Sequence, residues 1–240
     1  MRIGLLGSGE FEPWSTAVDR WALDGYGDGR VVIVPTASAP EGDDAFAWWA
    51  TKGLRHYEET GVEAEVLPLK TRDDAQEPSI VELIRDASVV YFSGGNPYYL
   101  ARTLDGTRFW RVLIEELERG AAYVGCSAGV ACLTELTYDS TVEDLRSGET
   151  YKPGLGFVRG SMFAPHWDHV DDWFPGARAF LEARTPPGQT LIALDEDTAM
   201  VGDGARWRVV GRSGIHVYCE GTWDHHVAGS GFELTLDLAR

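Results

Sequence analysis

The stretch Ala121-Ala122-Tyr123-Val124-Gly125-Cys126-Ser127-Ala128-Gly129-Val130-Ala131-Cys132-Leu133-Thr134 constrains the fold of this chain more than any other. An apolar run over 121–124 leads into G-x-S-x-G, and small helix-compatible residues follow. Strand, tight turn and helix in that order form the arrangement called a nucleophile elbow. A serine lifted off a strand end on such a turn has backbone geometry that only tiny neighbours allow, and Gly125 and Gly129 supply the room. The helix that follows aims its free N–H groups at the place where negative charge would develop. A bare G-x-S-x-G arises by chance in many chains. The strand before it and the helix after it single out Ser127 as a candidate nucleophile. Read without chemistry, the same segment is a glycine-rich turn that packs tightly.

The rest of the N-terminal half suits such a turn. Apolar runs at Arg2–Leu6, Arg30–Val34, Ala64–Leu67, Ser88–Phe92 and Ala121–Val124 read as buried strands. Between them, Trp14–Leu23, Asp43–Thr60, Ser79–Asp86 and Thr107–Arg119 carry helical patterning, and Gly61 stops the second of these. Alternating strands and helices predict an α/β fold with a mostly parallel sheet covered on both faces. Ligands of such folds bind outside the carboxyl ends of the strands. Residues 136–165 are mixed and glycine-rich, and Val170–Arg184 reads as helical. Thr190–Leu194, Thr198–Val201, Arg206–Val210 and Ile215–Tyr218 read as short strands parted by turns such as Gly202-Asp203-Gly204. The expectation is a single domain over 1–240, with an α/β core to about residue 200 and an antiparallel C-terminal β extension over about 201–240.

Charge narrows the partners. The 240 residues carry 21 Lys and Arg against 38 Asp and Glu, a net charge of −17. An acidic surface repels phosphate backbones and anionic bilayers, so no nucleic acid and no membrane are expected, and the charge serves solubility. Cys126, Cys132 and Cys219 lack metal-binding spacing, and their odd number gives no disulfide framework. Met1-Arg2-Ile3-Gly4 enters a strand without the basic and apolar segments of a signal peptide, and no apolar run reaches about 20 residues. A reducing cytoplasmic location is expected. Nine tryptophans leave room for a self-association patch and hence for a homo-oligomer.

The candidate chemistry falls at predicted strand ends. Gly7-Ser8-Gly9-Glu10 could cradle an anion, but it is not G-x-G-x-x-G, and Pro35-Thr36-Ala37 stands where a ribose-binding acid belongs. Phe92-Ser93-Gly94-Gly95-Asn96-Pro97 leaves backbone N–H groups exposed before a helix start, as an oxyanion hole requires, with Asn96 a candidate substrate contact. In the elbow, Ala128 would give the other oxyanion N–H, and Cys126 is a rival nucleophile that reads as a small core residue. A serine nucleophile needs a base. His166, after Ser161-Met162-Phe163-Ala164-Pro165, sits at an apparent strand end, and His169 is its nearest competitor. His56 reads as a surface residue of a helix, and His225-His226 as part of a polar loop. His166 and His169 lack the i, i+4 spacing of helical zinc pairs, so neither a metal nor a cofactor is expected. The orienting acid falls within Asp195-Glu196-Asp197, at the end of an apolar strand.

Together, the segments at 92–96, 125–129, 165–168 and 193–199 resemble those of the serine peptidase family that contains aspartyl dipeptidase (dipeptidase E) and cyanophycinase. The resemblance implies a flavodoxin-like sheet with additions, like that of class I glutamine amidotransferases. It also implies a Ser-His-Glu triad in chain order, carried here by Ser127, His166 and Glu196, with Gly95 and Ala128 as oxyanion donors. The substrate implied is a small peptide or isopeptide, cleaved through an acyl-enzyme. Two other readings compete: a Cys126-dependent amidotransferase-like enzyme, and a non-catalytic module that binds a small ligand at the strand ends.

Overall fold

The computed structural model describes residues 1–144 and 146–239. Strands β1 (Arg2–Leu6), β2 (Val31–Val34), β3 (Ala64–Val66), β4 (Val89–Phe92) and β5 (Ala122–Cys126) are all parallel, in the order β1-β5-β4-β2-β3. The strands β2, β4 and β5 are buried along their whole length, because both faces of the sheet are covered. Alternate side chains serve opposite layers. Val32, Val34, Val90, Phe92 and Tyr123 pack with α4 (Pro97–Leu104) and α5 (Arg108–Arg119), whereas Val31, Ile33, Val89, Tyr91 and Val124 pack with α1 (Thr16–Leu23) and α2 (Asp43–Thr60). A helix α3 (Pro78–Val81) precedes β4, and α6 (Ala128–Ala131) follows β5.

Beyond the elbow lie β6 (Leu136–Tyr138), β7 (Tyr151–Pro153), β8 (Val158–Arg159), β9 (Ser161–Pro165), β10 (Thr190–Leu194), β11 (Thr198–Gly202), β12 (Arg206–Gly211), β13 (Gly214–Cys219), β14 (Thr222–Val227), β15 (Gly231–Glu233) and β16 (Asp237–Leu238). Antiparallel β11, β12 and β15 extend the main sheet past β1, making it eight-stranded. The α/β architecture with antiparallel strands at one edge is therefore as expected. A second, four-stranded sheet, ordered β14-β13-β10-β9, is a feature the apolar runs did not disclose. Its β9 and β10 are parallel neighbours, with Pro165 paired to Leu194.

Local chemistry sets several boundaries. Gly61 takes φ +71° at the end of α2. The Thr107 hydroxyl accepts from the Trp110 N–H and starts α5. The helix expected over Val170–Arg184 is two, α7 (Val170–Trp173) and α8 (Ala177–Arg184), because Pro175 and left-handed Gly176 interrupt it. The helix expected over Ser79–Asp86 is α3 followed by a 3-10 turn, Glu82–Ile84. His225 and His226 lie in β14, not in a loop.

His56 overturns its surface reading. It is 7% exposed, on the face of α2 shared with Phe46, Gly53 and Tyr57. Its Nε2 lies 2.7 Å from Asp19 Oδ2, and the Tyr57 hydroxyl donates to Asp19 Oδ1 at 3.0 Å. Burial, and then the Asp19 charge, raise the Tyr57 phenol well above its ordinary pKa. One carboxylate thus ties α1 to α2 beneath the sheet. Among the described residues, no helix is long and apolar enough to cross a membrane. Asp19→Ala leaves two buried polar groups without their acceptor, and urea unfolding should register a loss of about 2–4 kcal/mol. A loss below about 0.5 kcal/mol would show that this carboxylate does not hold the two helices together.

Candidate active site

The carboxyl ends of β1, β4 and β5 converge on Ser127. Its backbone sits at φ 49°, ψ −102°, a sparsely populated region costing on the order of 1–3 kcal/mol. Three features hold it there. The Ser127 N–H donates to the Leu6 carbonyl at 3.0 Å, which hangs the turn on β1. A Cβ on Gly125 would run into the Gly129 carbonyl, and one on Gly129 would lie 2.8 Å from the Phe92 carbonyl oxygen. The buried Tyr123 hydroxyl donates to the Gly129 carbonyl at 2.5 Å and fixes the first turn of α6 against the strand it leaves.

The second sheet brings the partners. Because β9 and β10 are parallel and in register, their ends lie side by side, with His166 after one and Asp195-Glu196-Asp197 after the other. The Trp167 N–H donates to the Leu194 carbonyl at 3.0 Å and locks the two ends together. His166 itself takes φ +57°. Its Nε2 lies 2.8 Å from Ser127 Oγ and its Nδ1 2.8 Å from Glu196 Oε1. Serine, imidazole and carboxylate thus form one hydrogen-bonded chain.

The three neighbouring acids have separate surroundings. Asp195 is 5% exposed and turned into the second sheet, where its Oδ2 meets His216 Nε2 at 2.9 Å, the Ser213 hydroxyl at 2.6 Å and the Gly214 N–H at 3.2 Å. Burial works to raise its pKa, but those partners more than offset it and hold the carboxyl below the ordinary range. Asp197 pairs with Arg212 at 3.0 Å. Glu196 alone of the three meets the imidazole, and its N–H is held by Asp168 Oδ1 at 2.8 Å. His169 lies beside Glu196, 3.8 Å from Oε2, and its Nδ1 is engaged by Asp172 at 3.1 Å. The hydrogen bond to Asp172, then the charges of Glu196 and Asp168, raise the His169 pKa. Trp173 flanks both rings, with centroids 5.1 Å from His166 and 6.5 Å from His169.

The Gly94-Gly95 loop lies beside the serine: a Cβ on Gly94 would be 3.7 Å from Ser127 Cβ. Gly95 takes φ +138°, and a Cβ there would collide with the Ala37 carbonyl, so this backbone suits glycine alone. Among the described residues the Gly95 N–H has no acceptor, and Ala128 opens α6, where the first N–H groups have no partner within the helix. The Asn96 side chain, expected at the substrate, is instead spent on structure. It is 6% exposed, its Oδ1 caps α4 by accepting the Tyr99 N–H at 3.0 Å, and its Nδ2 donates to Asp139 at 2.8 Å. In the first glycine loop the Gly7 N–H donates to the Thr198 carbonyl and the Ser8 hydroxyl accepts the Asp197 N–H, so these groups tie the loop to the acidic turn.

Gly95, Ser127 and His166 open onto a cavity of about 280 Å3. Met162, Phe163, Val170, Trp173, Phe174 and Leu181 form its apolar wall, and Thr137, Asp139, Ser140 and Thr150 its polar one. None of the described residues lining it is Lys or Arg. Asn96 and Thr141 make all their contacts with Asp139 through Oδ1. Burial works to raise the Asp139 pKa, but the hydrogen bonds from Asn96 and Thr141 and the charge of Lys152 hold it below the ordinary range. Asp139 and Trp173 escaped sequence reasoning because neither sits in a motif. Among the described residues, no cluster of three or more His, Cys, Asp or Glu is placed to hold a metal ion.

Comparisons agree with this architecture. A crystal structure of a peptidase from an acI-B1 actinobacterium superposes with a TM-score of 0.86 at 30% identity, covering 97% of this chain and 96% of that one. A candidate peptidase E protein from Listeria monocytogenes EGD-e shares the fold, with a TM-score of 0.62, 19% identity, and coverage of 88% and 98%. Uncharacterized peptidases of L. monocytogenes serovar 1/2a and L. innocua serovar 6a are 26% and 25% identical over 143 residues, which is 58% of this chain and 66% and 65% of those relatives. The match thus spans just under two thirds of the curated relatives' length. The model of Peptidase family S51 matches residues 3–210, nearly the whole chain. This chain therefore belongs to peptidase family S51, a family of serine peptidases.

Proposed function

We propose that this protein hydrolyses short peptides through Ser127, His166 and Glu196. The observation that carries the reading is the chain of two 2.8 Å hydrogen bonds from Ser127 Oγ through the imidazole to Glu196 Oε1, at the mouth of a cavity. Ser127 Oγ attacks the scissile carbonyl carbon while His166 Nε2 takes its proton. The carbonyl oxygen becomes an oxyanion facing the Gly95 and Ala128 N–H groups. Glu196 accepts from Nδ1–H, fixing the tautomer in which Nε2 is the base. His166 passes the proton to the departing amine, an acyl-enzyme remains, and a water deprotonated by the same imidazole releases the acid.

The cavity supports a substrate class as well. Hydrocarbon walls and one carboxylate suit a residue that brings an apolar side chain to Met162, Phe163 and Leu181 and a positive charge to Asp139. An apolar residue at the free amino terminus of a peptide meets both conditions, its side chain on the hydrocarbon wall and its ammonium group at Asp139. An aspartyl side chain would instead bring a second carboxylate to the apolar wall, and among the described residues lining the cavity no Lys or Arg offsets its desolvation or the charge of Asp139.

Three outcomes follow. A fluorophosphonate should add one phosphonyl group to the wild type and none to Ser127→Ala, by intact mass; labelling of the variant would exclude Ser127. Glu196→Gln should lower kcat by about 10^3–10^4-fold, by analogy with loss of the orienting acid in other triads. Equal damage from Asp195→Asn or Asp197→Asn, with Glu196→Gln active, would move the orienting role. In a dipeptide panel, Leu-Leu should be cleaved at least about 10-fold faster than Asp-Leu or N-acetyl-Leu-Leu, and Asp139→Asn should erase most of that preference. Faster cleavage of Asp-Leu by the wild type would overturn the substrate class.

A further inference from the structure

A buried carboxylate outside the proposed triad bridges the two loops on which the chemistry depends. Glu10 follows β1 and is 4% exposed. Its Oε1 accepts the Gly94 N–H at 2.7 Å, and its Oε2 accepts the Cys126 thiol at 2.9 Å. Gly94 immediately precedes Gly95, the proposed oxyanion donor, and Cys126 immediately precedes Ser127. One side chain therefore clamps the end of β4 to the end of β5, a single residue away from the donor and from the nucleophile.

The backbone around Glu10 is committed to that contact. Phe11 takes φ +60°, which a bulky residue adopts only under constraint. Its ring is anchored against Tyr91, with centroids 4.7 Å apart, and sits under Gly53, where a Cβ would come within 3.1 Å of it. The anchor turns the chain so that Glu10 points inward. The Gly94 N–H can only donate, and a buried N–H without an acceptor costs about 1–3 kcal/mol, so this loop has one comfortable position. Burial, and then the charge of Glu10, push the Cys126 thiol well above its ordinary pKa, so it stays protonated as a donor and is a poor nucleophile.

Resting on the serine peptidase reading above, we propose that Glu10 is a positioning residue that holds Gly95 and Ser127 at the separation the oxyanion requires, with Cys126 as its hydrogen-bonded strut. This gives Cys126 a role that needs a donor on its side chain, not a thiolate. Serine can replace it and alanine cannot.

The test is the rate of phosphonylation by a fluorophosphonate, which builds a tetrahedral centre with its oxygen in the same hole. It is resolved into maximal rate and half-saturating concentration for the wild type, E10A, E10Q, C126A and C126S. Full loss of an oxyanion donor is worth about 10^2–10^3-fold, and displacement of one somewhat less. E10A should therefore lower the maximal rate about 10–100-fold with half-saturation within about 3-fold. E10Q keeps the shape and one acceptor and should fall between E10A and the wild type. C126A should lose about 10-fold, and C126S should recover most of it. E10A or, should that variant not fold, E10Q at the wild-type rate would overturn the proposal, as would C126S no faster than C126A. A loss confined to half-saturation would assign Glu10 to binding and overturn it too. A wild-type protein that resists the reagent would overturn the underlying serine reading and this proposal with it. Labelling of the wild type with an undisturbed Glu10 series would sink the clamp alone.

Discussion

The backbone of Ser127, at φ 49° and ψ −102°, is the constraint around which the molecule is arranged. That conformation lifts Oγ off the end of β5 but is unfavourable for any residue with a side chain. It persists because its surroundings leave no alternative. Glycines at 125 and 129 let two backbone segments meet where a methyl group would collide, the Leu6 carbonyl takes the serine's N–H, and Tyr123 pins the helix start. Each of these depends on the parallel register of β1, β4 and β5, which in turn rests on apolar layers on both faces of the sheet.

A second sheet solves the other half of the problem. A histidine that is to meet a serine on one face and a carboxylate on the other must be held in one orientation, and a loop alone does this poorly. Here the parallel pair β9 and β10 delivers His166 and Glu196 from adjacent strand ends, with Asp195 and His216 rooting the turn behind them. The two sheets thus present five strand ends to one place, and the cavity lies where they meet. Asp168 adds a further tie by holding the Glu196 N–H.

Much of this was legible in the chain itself, and the reasons differ by residue. Ser127 is readable because the elbow is local: strand, turn and helix are contiguous, and only glycine satisfies its steric demands. His166 is readable as a strand-end histidine. The choice of Glu196 over Asp195 and Asp197 is not local, since it turns on which side chain faces β9 and which faces β13, and it came only through resemblance. Asn96 illustrates the converse. Its place beside the glycine loop suggested a substrate contact, yet the first turn of α4 needed a cap and took the side chain. His56 looked like a surface residue because its partner, Asp19, lies on another helix.

The amino-acid sequence by itself determined the alternating α/β core and the elbow, because these follow from periodicity and from steric limits within a few neighbouring residues. Tertiary structure alone decided that the C-terminal strands divide between two sheets. It also set which of three adjacent acids meets the imidazole, how Glu10 reaches across to Gly94 and Cys126, and that Asp139 faces the cavity. The physical reason is separation along the chain. Pairings between residues dozens to more than a hundred positions apart are set by strand register and by which face each side chain occupies. Those properties belong to the assembled sheets and not to any one segment.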